Sequence, residues 1–115
     1  MARPPSPDGY PTLCLALLTE GPAHGYDLVQ RLRDRTGGEM TLPAGLVYPI
    51  LHALEEQGLV QAVWEPGERD RRKRRYTLTT QGRTVLADRT NRWEVHRRSV
   101  DRVLFGTIRE VGQHG

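Results

Sequence analysis

A helical stretch, two short strand-like runs and a strongly basic loop lie together in the middle of the chain, and their order limits the possible folds. The apolar residues of 44–57 recur at three- and four-residue steps, and Gly58 ends that pattern. Residues 59–64 and 75–79 alternate as strands do, and Pro66-Gly67 begins the turn between them. The inward-facing set of this hairpin is predicted to be Leu59, Val63, Tyr76 and Leu78. A helix followed by a two-stranded wing is typical of a winged helix-turn-helix domain.

The hairpin loop carries much of the positive charge. Residues 69–75 contain six cations and one acidic residue. Residues 61–115 hold thirteen basic and seven acidic side chains, a balance of +6, whereas residues 1–60 hold four and seven, a balance of −3. Counterion release favours a polyanionic partner for such a loop. A bare charge run is usually a solvated surface loop, and here the hairpin and the preceding helix favour duplex DNA instead.

Length and composition bound the class of protein. A chain of 115 residues is one domain, and its 37% of hydrophobic residues leaves little to bury in a lone monomer. The longest apolar run, 13–18, is far shorter than a membrane span, and no hydrophobic signal region precedes it. Cys14 is the sole cysteine and excludes an internal disulfide, which fits a reducing cytosol. We therefore predict a cytoplasmic protein in which Cys14 is a buried, unreactive thiol.

Two helices are predicted before the central pattern. The first covers residues 12–20 and is mostly apolar. The second covers 24–35 and ends at Gly37-Gly38, with Leu28, Val29 and Leu32 inside. Its outward residues are predicted to be Asp27, Gln30, Arg31 and Asp34. Residues 40–42 are a candidate for a short strand that joins the hairpin sheet.

The third helix, residues 44–57, has an unusual outward face. Its inward stripe is Val47, Ile50, Leu51 and Leu54, whereas its outward residues are Gly45, Leu46, Tyr48, Pro49 and His52. Glycine and proline weaken a helix. Small residues permit close approach to a groove, and a tyrosine can contact both phosphate and base edge. A plain surface face with a loosely wound start explains the same residues equally well.

A long last helix is predicted from residue 80 to about residue 105 or beyond, with Thr79 as its N-cap. Its seam reads Leu86, Thr90, Trp93, Arg97, Val100 and Leu104. A domain this small has no core on which so long a helix could lie, so we predict that it pairs with its copy in a homodimer. The predicted organisation is a disordered lead-in over 1–10, a winged helix-turn-helix DNA-binding domain over 11–80, and a dimerisation helix over 81–111.

Several signatures, taken together, resemble the PadR family of transcriptional regulators over about residues 12–104. They are EGPAHGY at 20–26, GLVYPILHALE at 45–55, GLV at 58–60, RKRRYTLT at 72–79 and GR at 82–83. Their order and spacing are specific, although no single piece is. The short tail resembles the subfamily with a single C-terminal helix. The implied fold is α+β, a winged helix-turn-helix with a long C-terminal dimerisation helix.

The resemblance implies a dimeric repressor that binds a pseudo-palindromic operator in double-stranded DNA and is released by a small ligand. The third helix would dock in the major groove, and the basic wing would reach the backbone or the minor groove. The residues implicated in DNA binding are Tyr26, Gly45, Leu46, Tyr48, Pro49, His52, Arg71, Arg72, Lys73, Arg74 and Arg75. The family usually has Ser-Pro-Gly-Thr where this chain has Pro43 to Leu46. The serine and threonine hydroxyls of the family are absent at the first and fourth of these positions, and any phosphate or base contact that they make is lost. Leu46 is a candidate for contact with a thymine methyl group.

Trp93 carries a second resemblance. Some short members of the family have a tryptophan at this point of the last helix, where it lines a pore across the dimer interface and stacks on flat aromatic drugs. This implies a small aromatic effector near the seam residues Leu86, Trp93, Val100 and Leu104. Packing of Trp93 within the dimer seam is the competing interpretation, because a tryptophan at a seam position usually belongs to a core.

Catalysis has little support in the sequence. The chain has two serines, no Cys/His pair at ligand spacing and no glycine-rich phosphate loop. We therefore predict no enzymatic activity, no cofactor and no metal, although ligands shared between two subunits would leave no sequence spacing. Two other classes stay open. One is a sequence-indifferent architectural DNA-binding protein, and the other is a winged helix that binds proteins, for which so cationic a wing is unexpected.

Overall fold

The computed structural model describes residues 9–64 and 74–106, which form helices at both ends and a two-stranded hairpin between them. The predicted α+β winged helix-turn-helix architecture is confirmed by this order of elements. The elements are α1 (Gly9–Leu17), α2 (Gly25–Arg35), α3 (Ala44–Glu56), β1 (Val60–Val63), β2 (Arg75–Leu78) and α4 (Thr80–Asp101). A 3-10 turn at Leu18–Glu20 follows α1, and a π turn at Arg102–Gly106 follows α4. The predicted lead-in overlaps the start of α1, and its residues 1–8 lie outside the described residues.

An apolar cluster joins α1, α2, α3 and the hairpin. Its buried members are Cys14, Leu15, Leu17, Leu18, Ala23, Leu28, Leu32, Leu42, Val47, Leu51, Leu54, Leu59, Val60 and Tyr76. The predicted stripe of α3 is confirmed, with Ile50 partly buried at its edge. Cys14 is fully buried, and this burial raises the pKa of its thiol to about 12, so the thiol stays protonated at neutral pH.

Arg31 joins α2 to the end of the first helical segment, and the prediction that it faces outward was wrong. Its Nη1 donates hydrogen bonds to the carbonyl oxygens of Leu17 at 3.1 Å and Gly21 at 2.8 Å. Its Nη2 donates to the carbonyl of Pro22 at 3.1 Å. Carbonyls at the end of a helix lack partners within that helix, and a cation there also complements the helix dipole. The guanidinium therefore holds the turn that leads into α2.

The wing sheet differs from the prediction in its third member. β1 and β2 pair antiparallel, with Val60 opposite Leu78 and Ala62 opposite Tyr76. Residues 40–42 form no strand, because the turn after α2 uses their backbone and the Met40 amide donates to the Thr36 hydroxyl at 3.0 Å. Ala23 pairs with Tyr76 instead, through backbone hydrogen bonds of 3.1 and 2.8 Å.

The inward face of β1 is shifted by one residue from the prediction. Val63 was expected inside and is 46% exposed, whereas Val60 is only 2% exposed. Gly58, with a φ of 76°, turns the chain into Leu59, which is buried before the strand begins. Strand alternation therefore starts at Val60, and a one-residue offset moves every later side chain to the other face.

The start of α4 is fixed by Thr79, as predicted. The Thr79 hydroxyl accepts a hydrogen bond from the Gly82 amide at 2.9 Å and donates to the carbonyl of Gly58 at 2.7 Å. A Cβ at Gly82 would collide with the carbonyl oxygen of Leu59, so only glycine fits there. Val85 and Leu86 pack against the core. No helix in residues 9–64 and 74–106 is long and apolar enough to cross a membrane.

Candidate nucleic-acid interface

An open cleft of about 570 Å³ lies between the outward face of α3 and the wing. It is lined by Tyr48, Pro49, His52, Ala53, Glu56, Arg74 and Tyr76. The fold thus brings together four of the residues predicted to contact DNA, three from α3 and one from the base of the wing. A helix and a hairpin that border one concave surface can contact the groove and the backbone of a duplex together.

The first turns of α3 expose small and apolar residues. Gly45 and Leu46 are both exposed, and no atom lies within 4 Å of the place a Cβ at Gly45 would occupy. Pro49 is inside the helix and has no N–H to donate to the carbonyl of Gly45. This face is therefore narrow and open at its start, as close approach to a groove requires.

Tyr48 is half-buried because the start of α2 packs against its ring. A Cβ at Gly25 would lie 3.1 Å from Cζ of Tyr48 and 2.9 Å from Cγ1 of Val47. The helix-turn-helix crossing therefore depends on glycine at this position. Tyr26, the next residue of α2, is exposed and does not line the cleft.

His52 and Glu56 form an exposed pair on the cleft side of α3. His52 Nε2 lies 3.2 Å from Glu56 Oε1, one helical turn away, and the two carry opposite charges only when the imidazole is protonated. Exposed pairs of this kind contribute at most about 1 kcal/mol to stability. Both side chains are consequently available for contacts with a ligand.

Arg74 has partners within the chain. Its Nη2 lies 2.8 Å from Oε1 and 3.0 Å from Oε2 of Glu55 in the last turns of α3. Its guanidinium also lies over the rings of Trp64 and Tyr76, 5.5 Å from each centroid. The side chain is only 16% exposed, whereas Arg75 is exposed on the strand. The prediction that Arg74 contacts DNA stays a prediction, and Arg71, Arg72 and Lys73 lie outside the described residues.

Glu55 was missed by sequence reasoning, which singled out cations in this region. Its pairing with Arg74 spans nineteen positions, a separation that no local pattern reveals. The pair also acts on Tyr76, whose pKa is raised by burial, lowered by Arg74 and raised by Glu55 and Tyr48. The net shift is upward, so the Tyr76 phenol stays protonated to a higher pH than an ordinary tyrosine.

The predicted seam residues of α4 differ in their surroundings and exposure. Leu86 and Thr90 border an open groove of about 660 Å³, together with Thr19, Arg83, Ala87, Asn91 and Glu94. Trp93 is half-buried, with its ring centroid 5.6 Å from that of His96 at 38°. Val100 and Leu104 are exposed.

Three further apolar residues of this region, Val95, Val103 and Phe105, are exposed and were not in the predicted seam. Val103 and Phe105 lie in the π turn at Arg102–Gly106. A π turn changes the helical phase, so a heptad pattern does not continue through it unchanged, and the seam stays a prediction. Among the described residues, no three His, Cys, Asp or Glu side chains lie close enough together to hold a metal ion.

Comparison with known proteins identifies relatives among transcriptional regulators. The sequence profile of the "Transcriptional regulator PadR-like family" matches residues 14–88. The transcriptional regulator YqjI of Escherichia coli strain K12 is 32% identical over 81 residues, which are 70% of this chain. The chain spans only 37% of the length of that curated relative. The resemblance predicted from the signatures is thus confirmed.

Solved structures with the same fold include a PadR family transcriptional regulator from Eggerthella lenta DSM 2243. It is 31% identical with a TM-score of 0.65, over 81% of this chain and 81% of that one. Bacillus subtilis PadR, solved in complex with operator DNA, is 26% identical with a TM-score of 0.56, over 68% of this chain and 45% of that one. The winged-helix fold is therefore one that this chain has in common with these transcriptional regulators.

Proposed function

The chain belongs to the PadR-like family of transcriptional regulators, and from that premise we propose that it regulates transcription by binding an operator in duplex DNA as a homodimer. The observation that carries the proposal is the cleft between α3 and the wing, lined by Tyr48, His52 and Arg74. α3, the recognition helix, would enter the major groove, and the basic wing would contact the backbone or minor groove. The sequence predicts a cytoplasmic protein, and a DNA-binding regulator would act there.

The recognition face of α3 has the chemistry to read bases. The Tyr48 hydroxyl and the His52 imidazole can donate and accept hydrogen bonds. Leu46 presents an apolar surface that fits a thymine methyl group. The solved complex of Bacillus subtilis PadR with operator DNA supports this mode, because that protein has the same fold.

Dimerisation through α4 is the second part of the proposal. Val103 is 83% exposed and Leu104 is 59% exposed, and Val95, Val100 and Phe105 are exposed as well. Apolar side chains clustered at one end of a helix favour a partner that removes them from water, at about 25 cal/mol for each Å² buried. Two copies related by a two-fold axis would present two recognition helices, and the operator would then be pseudo-palindromic.

A small aromatic effector is the third part. Trp93 lies midway along α4, half-buried beside His96. In a dimer paired through α4, two copies of Trp93 would face each other near polar neighbours. A flat ligand between them would alter the angle between the helices and hence the distance between the recognition helices. Loss of operator affinity would release repression.

The test is a binding assay of the full chain on its own upstream DNA and on a scrambled duplex. We expect tighter binding to the upstream DNA, with affinity that falls steeply as salt rises. Tyr48→Ala should weaken binding by about 1–3 kcal/mol, mainly on the operator. Equal affinity for the two duplexes would contradict the regulator and favour the architectural protein. Failure of the full chain to bind either duplex would favour a protein-interaction module.

A further inference from the structure

We propose that Arg74 and Glu55 form a pair that sets the position of the wing on the recognition helix, and that Arg74 acts through this pair instead of binding phosphate. The proposal rests on the DNA-binding function above. It makes Arg74 a positioning residue for operator recognition and assigns a role to Glu55, an acidic residue at the edge of a cationic surface.

The contacts of Arg74 leave its guanidinium well held. One terminal nitrogen donates to both oxygens of Glu55, at 2.8 and 3.0 Å. The Cζ atom of Arg74 lies 5.5 Å from the ring centroids of both Trp64 and Tyr76. Charge-assisted hydrogen bonds add strength and directionality, and a planar guanidinium can stack on aromatic rings in a way that a lysine cannot.

The positions of these residues explain what the pair controls. Trp64 follows β1 and Arg74 precedes β2, and the contact between them joins the two strands at the end where Val63 pairs with Arg75. Glu55 follows Tyr48 by seven residues, which is two helical turns, so both lie on the same side of α3. The pair therefore connects the base of the wing to the face of α3 that carries Tyr48.

A direct phosphate contact by Arg74 would disrupt this arrangement. Glu55 is itself only 33% exposed, and withdrawal of Arg74 would leave its carboxylate without this partner. Removing one member of a partly buried ion pair is costly because the other charge stays poorly solvated. Arg75, the next residue, is exposed on the strand and is better placed to contact phosphate.

The first experiment compares Glu55→Gln, Arg74→Gln and the double variant on the operator, at a temperature where circular dichroism shows all three folded. Loss of an acidic residue near DNA ordinarily strengthens binding. If the pair positions the wing, the opposite is expected. Both single variants should bind the operator roughly 5- to 50-fold more weakly than the wild type, and the double variant should bind no more weakly than either. The salt dependence of binding should stay that of the wild type, since no phosphate contact is lost.

Two matched controls accompany these variants. Glu39→Gln removes an exposed acidic residue after α2 that does not line the cleft, and it should bind DNA at least as tightly as the wild type. Arg75→Gln should reduce the slope of log affinity against log salt by about 1. If Glu55→Gln binds as tightly as Glu39→Gln while Arg74→Gln weakens binding and lowers the slope, Arg74 is a phosphate ligand and the proposal is overturned.

A second experiment tests the pair without DNA. Amide hydrogen exchange in Val60–Val63 and Arg75–Leu78 should be faster in both Glu55→Gln and Arg74→Gln, with α2 unchanged. Unchanged exchange in the two strands would overturn the proposal. If the wild type fails to distinguish the operator from a scrambled duplex, the proposed function fails, and this measurement still decides whether the pair holds the wing.

Discussion

Gly25 on α2 lies against the ring of Tyr48 on α3, so closely that a Cβ at Gly25 would be 3.1 Å from Cζ. This relationship connects the packing of the helix-turn-helix to the proposed recognition face. Any side chain at residue 25 would push on Tyr48 and on the buried Val47 together. The position of the tyrosine ring is therefore determined by the absence of a side chain one helix away.

We predict that Gly25→Ala destabilises the protein by about 1–3 kcal/mol, because its methyl group would overpack the crossing. Urea unfolding measures the effect. The matched control is Gly45→Ala, where no atom lies within 4 Å of the added Cβ. That substitution should be neutral or stabilising by up to about 1 kcal/mol, since alanine favours a helix. Equal stability of Gly25→Ala and the wild type would show that the crossing has room.

The helices were predictable where local patterns decide the structure. Val47, Leu51 and Leu54 recur at helical spacing, and Thr79 caps α4 with a hydrogen bond only three residues away. One error arose where distant parts of the chain meet. Arg31 reaches carbonyls up to fourteen residues back, and only the packing of α2 on α1 makes that possible. The error at Val63 was local, because a turn at Gly58 shifted the strand alternation by one residue.

The candidate site was predicted less completely than the fold. The cluster of Tyr48, Pro49 and His52 follows from their spacing on one helical face, and the structure places all three at the cleft. Arg74 was grouped with its neighbours because the sequence shows only a run of cations. Arg74 differs from Arg75 because it is paired with Glu55, and that contact forms only when the hairpin docks on α3.

We predict that α4 makes the dimer. Val103 and Leu104 are the most exposed apolar residues at its end, so the double substitution Val103→Glu and Leu104→Glu should produce a monomer while the helical content is retained. Sedimentation at micromolar concentration measures the state. The control is Gln81→Glu, an exposed position at the other end of α4, which should stay dimeric. A monomeric wild type would contradict both the dimer and the pseudo-palindromic operator.

Stability should fall at alkaline pH. The Cys14 thiol has a pKa raised by burial from 9.0 to about 12, and the pKa of Tyr76 is raised above 10.0, chiefly by burial. Above their ordinary pKa values these groups lose protons more readily in the unfolded chain. For Cys14 the stabilisation is complete below about pH 9 and is lost as pH rises to about 12, by about 1.4 kcal/mol per pH unit. For Tyr76 the loss begins only as pH rises through its ordinary value of 10.0.

The free energy of unfolding in urea, measured at each pH unit from about pH 8 to about pH 11, would show this loss. Cys14→Ala should flatten the profile over the lower part of that range, because of the two groups with a raised pKa only Tyr76 would remain. Its constant destabilisation from the lost sulfur would not depend on pH. An identical profile for the two proteins would show that Cys14 is ionised as readily in the folded chain as in the unfolded one.

The last prediction concerns the proposed effector. A planar cationic dye should quench the fluorescence of the full chain and weaken its binding to operator DNA, because stacking on Trp93 adds about 0.5–1.5 kcal/mol per ring pair beyond area burial. Trp93→Ala should abolish both effects. Trp64→Phe is the matched control, since Trp64 belongs to the wing, where it contacts Arg74, and its loss should leave dye binding intact. If the dye binds Trp93→Ala as well as it binds the native chain, Trp93 serves only the dimer seam. The effector would then have to bind elsewhere, and the groove beside Leu86 and Thr90 is the next place to test.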